Sequence, residues 1–193
     1  MAKTEADGSG IVFALERLAR LMRAAEFGNG LNPAQWEALR FLARANRFSN
    51  SPGALTRYLG ATKGTISQTL KSLERKKLIE KSERPGEKRS VVLRLTPAGT
   101  ELVAKDPWAE LAQSCEALGG KTRRRMERGL SEVLAQEITR RLAPSFGTCT
   151  TCRFWRADAR TDDVRGPHLC MLFDEPLSAA ESSQICIAHE PAG

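Results

Sequence analysis

Four of the five cysteines in this 193-residue chain, Cys149, Cys152, Cys170 and Cys186, fall within 38 residues, and Cys115 stands alone. Their spacing is C-x2-C-x17-C-x15-C. In a reducing compartment such clustering points to metal ligation before disulfide bonding. The two-residue gap lets the sulfurs of Cys149 and Cys152 turn toward one site, and the two later thiolates complete a four-sulfur shell. Residues 144–193 have few apolar side chains, so ligand bonds are expected to stand in for a core. His168 and His189 are the chain's two histidines and offer substitute nitrogen ligands. A thioredoxin-like role for Cys149 and Cys152 lacks the strand–loop–helix context that chemistry needs.

Charge divides the chain at the same place. Residues 1–143 carry a net +10, whereas residues 144–193 carry 4 Arg against 7 Asp or Glu, a net −3. A basic body with an acidic end predicts a polyanion partner for the body alone. No run of apolar residues is long enough to cross a membrane. The opening MAKTEADGSG has neither an apolar run nor a small-residue cleavage site, so the expected location is the cytoplasm.

Periodicity orders the body. Residues 1–10 are polar and Gly-rich and are expected to be disordered. Ile11, Leu15, Leu18 and Met22 repeat at helical spacing to Phe27. Asn32 caps a second helix with Pro33 at its first position, and Ser51-Pro52 starts a short helix reaching Leu59. After Gly60, Thr62 caps a helix running to about Lys77. The period then changes. Residues 78–81 and 91–95 read as two short strands around a Pro85-Gly86 turn. Thr96-Pro97 opens a helical region that Asp106-Pro107 breaks, and a last helix spans roughly Thr122 to Leu142. Cys115 lies on an apolar face and reads as a buried, inert thiol.

Helix, short helix, turn, helix and basic hairpin is the order of a winged helix-turn-helix. In such a unit the second helix enters the major groove and presents its first turns to base edges. The side chains so placed are Lys63, Thr65, Ser67, Gln68 and Lys71, with Arg84, Lys88 and Arg89 on the hairpin tip for phosphates or the minor groove. Residues 62–95 hold 10 basic and 4 acidic residues, a concentration that fits a DNA surface.

The series Leu55-Thr56-Arg57-Tyr58-Leu59-Gly60, Thr62-Lys63-Gly64-Thr65-Ile66-Ser67, Leu73-Glu74-Arg75-Lys76-Lys77-Leu78-Ile79, Glu87-Lys88-Arg89 and Leu95-Thr96-Pro97-Ala98-Gly99 resembles the multiple-antibiotic-resistance regulator (MarR) family over about residues 11–142. The resemblance implies a mainly α fold with a small β-hairpin wing, and an obligate homodimer that binds pseudo-palindromic double-stranded DNA operators. It divides the chain into a helical dimerisation region (11–30 and 98–143), a winged helix-turn-helix (31–97) and the four-cysteine module (144–193). Two positions depart from the family pattern: Glu87 replaces the usual wing Asp, and Lys77 replaces the usual Gly after the reading helix.

Around the cysteines, Phe154-Trp155 follows Cys152 and Leu172-Phe173 follows Cys170. This pattern is similar to the cluster-binding part of high-potential iron–sulfur proteins, in which aromatic rings shield the cluster from water. It departs from them at Gly166, four residues before Cys170 rather than two, and in lacking an aromatic just after Cys186. The resemblance favours an iron–sulfur cluster, most simply [4Fe-4S], whereas Zn2+ is the commoner occupant of four-cysteine sites and needs no particular flanking residues. Two regulatory readings follow, DNA affinity set by the cluster or structural zinc with a small organic effector. No phosphate loop, nucleophile elbow or His–carboxylate series supports an enzyme.

Overall fold

The computed structural model describes residues 7–27, 30–84 and 87–192, with the side chains of residues 84–90 outside the described ones. Seven helices and a hairpin lead into a module of short strands. Helix α1 spans Ser9–Glu26, two residues longer at its start than its apolar repeat predicts. Ser9 and Gly10 are therefore helical, not disordered. The Asp7 carboxylate accepts from the Ser9 backbone N–H at 3.1 Å, placing an acid where the helix dipole favours one.

Helix α2 (Pro33–Arg44) starts at a complete capping box. Asn32 Oδ1 accepts from the Gln35 N–H at 2.9 Å, and Gln35 Oε1 accepts from the Asn32 N–H at 3.1 Å. Helices α3 (Pro52–Leu59) and α4 (Lys63–Arg75) are capped by Ser51 and Thr62. Gly60, at φ +59°, makes the left-handed turn between them. Trp36, Leu39, Phe41, Leu55, Ile66, Leu70 and Leu73 from these three helices form one buried cluster with Ile79 and Leu93 of the hairpin. At roughly 1.5–3 kcal/mol for each fully buried large apolar side chain, this cluster is the main source of stability in the α2–β2 unit.

Strands β1 (Ile79–Arg84) and β2 (Glu87–Leu95) pair antiparallel with Ile79 opposite Leu95, and the register shifts between Glu83 and Arg84. Both strands run further toward the tip than their apolar runs suggest, because backbone pairing carries the ladder through charged positions. The Pro85-Gly86 turn and the side chains of Arg84, Lys88 and Arg89 lie outside the described residues.

Helix α5 (Pro97–Ala104) leads to α6 (Pro107–Glu116), and the break at Asp106-Pro107 is as predicted. Asp106 caps α6 by accepting from the Trp108 N–H at 2.9 Å. It also faces Arg40 at 3.3 Å, while Arg40 reaches the buried Glu26 at 2.7 Å. Trp108 Nε1–H donates to the same Glu26 carboxylate at 3.1 Å, and Trp36 Nε1–H donates to the Glu26 carbonyl at 3.0 Å. This network ties α1 and α6 to α2. Cys115 on α6 is half-buried, not fully buried as its spacing suggests. Helix α7 (Gly120–Arg141) buries none of its residues in the single chain. No described helix is long and apolar enough to cross a membrane.

Helix α4 ends two residues earlier than predicted, and Lys77 is the reason. The Leu78 N–H donates to the Leu73 carbonyl at 3.0 Å and the Lys77 N–H to the Glu74 carbonyl at 2.9 Å, the paired bonds of a Schellman ending. That ending needs a left-handed residue, and Lys77 occupies it at φ +57°. A side chain there costs about 1 kcal/mol relative to glycine. Lys77→Gly is therefore expected to raise unfolding stability by about 1 kcal/mol, read as a higher urea midpoint at unchanged m-value. An unchanged midpoint would show that the turn is not strained.

Candidate nucleic-acid interface and cysteine cavity

On α4 the apolar set Ile66, Leu70 and Leu73 faces the core, and the helix turns Lys63, Thr65, Ser67, Gln68 and Lys71 to solvent. Gln35 Nε2–H donates to Ser72 Oγ at 2.8 Å, anchoring the inner face on α2. Lys81 of β1 pairs with Glu74 at 2.6 Å and fixes the hairpin against the helix. Thr65 is partly committed to the helix start: its N–H donates to Thr62 Oγ1 at 3.1 Å, and the two hydroxyls lie 2.9 Å apart. Lys63, Ser67, Gln68 and Lys71 make no side-chain hydrogen bond or ion pair with described residues, so four of the five predicted helix positions are free to meet a ligand.

The module that follows is built from short pieces. Strand β3 (Gly147–Thr148) pairs with β7 (Ile185–Cys186), and β4 (Trp155–Arg156), β5 (His168–Cys170) and β6 (Glu175–Leu177) form a three-stranded sheet. Helix α8 (Ala179–Ser182) starts at a capping box between Ser178 and Glu181. Cys149 opens a 3-10 turn, and the Cys152 N–H donates to the Cys149 carbonyl at 2.9 Å. Cys170 ends β5 and Cys186 ends β7.

These pieces bring all four clustered cysteines to line one small cavity, walled otherwise by Phe48, Phe154, Trp155, Leu172, Phe173, Leu177 and Ala188. The cysteines are free thiols. Burial, then the charges of Cys186, Cys170 and Cys152, push the Cys149 thiol up to about 12, opposed by the Asn46 amide beside it. Among the described residues, no three Cys, His, Asp or Glu side chains converge closely enough to hold a single metal ion.

Neither histidine lines this cavity. The His189 ring lies against Gly147, where a Cβ would sit 2.6 Å from its Nε2, and that nitrogen is 3.0 Å from Thr151 Oγ1. Burial holds its pKa below the usual imidazole range. His168 packs on Trp155 at 5.1 Å between ring centroids, and its Nδ1 accepts from the Asp158 N–H at 3.2 Å. Trp155 is itself fixed by donating from Nε1 to Ser182 Oγ at 3.1 Å.

Sequence reasoning missed the α2–α3 loop, which reads merely as a helix terminator. Phe48 reaches into the cysteine cavity and stacks on Phe173 at 4.3 Å between centroids. Asn46 is wholly buried against Cys149. Its Oδ1 accepts from the Phe48 N–H at 3.1 Å and the Ser49 hydroxyl at 2.9 Å, while its Nδ2 has no partner in hydrogen-bond geometry. A polar residue just past a helix gives no local sign that a segment more than 100 residues away will cover it.

Comparison with known proteins bears on the body of the chain. Residues 29–90 match the model of the MarR family. Among similar solved structures, Streptococcus pneumoniae FabT in complex with DNA is 19% identical, with 70% of this chain and 99% of that chain covered at a TM-score of 0.55. The S. aureus MepR–DNA complex is 20% identical, with 67% and 96% covered at 0.52. Wild-type MarR (apo form) from E. coli is 23% identical, with 66% and 96% covered at 0.50. The fold is thus a MarR-like winged helix-turn-helix, helical with small sheets. No curated protein matches the chain.

Gly166 sets the geometry of the cysteine module. It holds φ +142°, and a Cβ there would collide with the Leu177 and Ser178 backbone. Gly166→Ala is expected to destabilise the module by about 2–4 kcal/mol. Limited proteolysis should then cut within residues 144–192 first, leaving the α2–β2 unit resistant. Equal resistance of variant and parent would refute this role for Gly166.

Proposed function

We propose that this chain, with its MarR-like winged helix-turn-helix, is a DNA-binding transcriptional repressor. In this reading two copies bind a pseudo-palindromic operator, and an iron–sulfur cluster held by Cys149, Cys152, Cys170 and Cys186 controls their affinity. For the DNA half, support comes from the complexes of FabT and MepR with DNA and from the solvent-facing Lys63, Ser67, Gln68 and Lys71 on α4. Support for two copies comes from α1, where Ile11, Val12, Phe13 and Leu21 are exposed, and from α7, where Val133 and Leu134 are. A single chain leaves these apolar faces uncovered, and an isologous partner covers them.

The observation that carries the cluster half is the shared cavity itself. Four cysteines line one apolar, aromatic-walled space, and a buried amide with an unused donor stands beside one of them. Four thiolates can hold a polynuclear cluster or a zinc ion, and the aromatic lining is what favours the cluster. When bound, [4Fe-4S] supplies one-electron redox chemistry and a lability to oxidants. Phe48, Phe154, Trp155 and Phe173 keep water from the site. The chain is read as a regulator and not an enzyme, working in the cytoplasm.

A second reading keeps structural Zn2+ and adds a small organic effector. It is favoured by an open cleft between α2, α3 and α6 lined by Glu37, Arg40, Arg44, Tyr58, Leu59 and Trp108, in which Arg44, hydrogen-bonded to Tyr58 Oη at 3.1 Å, is the guanidinium that carries no ion pair to Glu26 or Asp106.

Two measurements test the proposal. Protein purified without oxygen is expected to be brown, with a broad visible charge-transfer band and stoichiometric iron and sulfide, and Cys170→Ser is expected to bleach it. A colourless, zinc-loaded protein would overturn the cluster. Against an operator selected from random-sequence DNA, Lys71→Ala should weaken binding to all sequences and lower the salt slope by about one per protomer. Gln68→Ala should cost about 1–3 kcal/mol at one base position only. DNA affinity unaffected by either change would remove α4 from the interface.

A further inference from the structure

We infer that the α2–α3 loop, residues 45–50, couples the cysteine site to the DNA-reading helices, with the Asn46 side-chain amide as the group that meets the Cys149 sulfur. The inference rests on the cluster reading above and adds to it the chain's own means of transmission.

Six consecutive residues touch both halves of the molecule. Toward the module, the Asn46 N–H donates to the Ile185 carbonyl at 3.0 Å and the Ile187 N–H donates to Ser49 Oγ at 2.8 Å, one bond on each side of Cys186. Arg47 donates to the Pro176 carbonyl at 2.6 Å and pairs with Glu181 at 2.8 Å. Phe48 forms part of the cavity wall. Toward the reading unit, the loop continues α2 through the Ala45 N–H, which donates to the Phe41 carbonyl at 2.8 Å. The Asn50 carbonyl accepts from the Leu93 N–H of β2 at 2.8 Å, and Ser51, next in the chain, caps α3. Any shift of residues 46–49 therefore moves the start of α3 and the base of the wing together.

The loop also carries the unpaired groups expected of a contact that is completed by something else. Among the described residues, the buried side-chain polar atoms without a partner are Asn46 Nδ2, Asn50 Oδ1 and His189 Nδ1, and two of these three lie in this loop. A buried donor is costly unless an acceptor meets it. The sulfur of a ligated Cys149 is such an acceptor, and hydrogen bonds to cluster sulfurs raise the reduction potential. Asn46 Oδ1 is already used within the loop, so the two ends of one amide join the loop's own fold to the state of the cysteine site.

Asn46→Asp keeps the Oδ1 acceptor that folds the loop and replaces the N–H donor by a carboxylate oxygen. Phe48→Leu removes the stack on Phe173 and leaves Asn46 in place. Both are made in the full chain, and melting curves verify that they fold. In the parent, the operator affinities of cluster-loaded and stripped protein are expected to differ by about fivefold or more. The difference is expected to fall below about twofold in Phe48→Leu. In Asn46→Asp the midpoint potential should shift downward, or the cluster should be lost on gel filtration. If the parent itself carries no iron, the cluster reading fails and the inference falls with it. If both folded variants keep the cluster, the potential and the affinity ratio of the parent, the cluster reading stands and the loop is not the coupling element.

Discussion

The cysteine module buries Leu169 and Leu177 and little else that is apolar, so its place in the molecule is set from outside by the α2–α3 loop. A backbone bond to Ile185 and a Ser49 side-chain bond to Ile187 bracket Cys186, Arg47 clamps β6 and α8 through the Pro176 carbonyl and Glu181, and Phe48 completes a wall that the module's own rings leave open. The seam is polar and aromatic. Its bonds are directional, and they therefore fix orientation more than they add stability. A small segment poor in core is held in place in this way.

The other half of the molecule is joined by a comparable device. Glu26 is buried at the end of α1 and meets Arg40, Trp108 and, through its carbonyl, Trp36. A buried carboxylate with this many partners fixes where the helical arm of α1 and α6 leaves the reading unit, while α7 and much of α1 remain uncovered. The reading unit thus sits between two attachments, one to the arms and one to the cysteines. Both enter through α2: Trp36 and Arg40 lie along it, and Asn46 lies just past its end. The shared core around Leu39, Leu70 and Leu73 joins α2 to α4.

Much of this was legible one residue at a time. Asn32-Pro33, Ser51-Pro52 and Thr62 start helices because a side-chain oxygen and a preset φ act locally, and all three do so here. The left-handed turn after α4 was marked by an unusual Lys77, and the backbone adopts that turn despite the side chain. Four cysteines in one stretch announced a common site. The extent of the hairpin was less clear, since charged residues on a ribbon hide a strand that backbone bonds sustain. Whether Cys115 and the faces of α1 and α7 are covered depends on surfaces beyond the single chain's own fold.

What the sequence by itself determined is the set of local choices: helix starts, the broken arm at Asp106-Pro107, the basic outer face of α4 and the clustered thiols, each governed by groups within a few residues of one another. Only the tertiary structure decided that Asn46, Phe48 and Ser49 belong to the cysteine site. Their partners, Cys149, Phe173 and Ile187, lie more than 100 residues further along the chain, and contacts at that separation are fixed by how whole elements pack and leave no periodic or spacing signal in the chain.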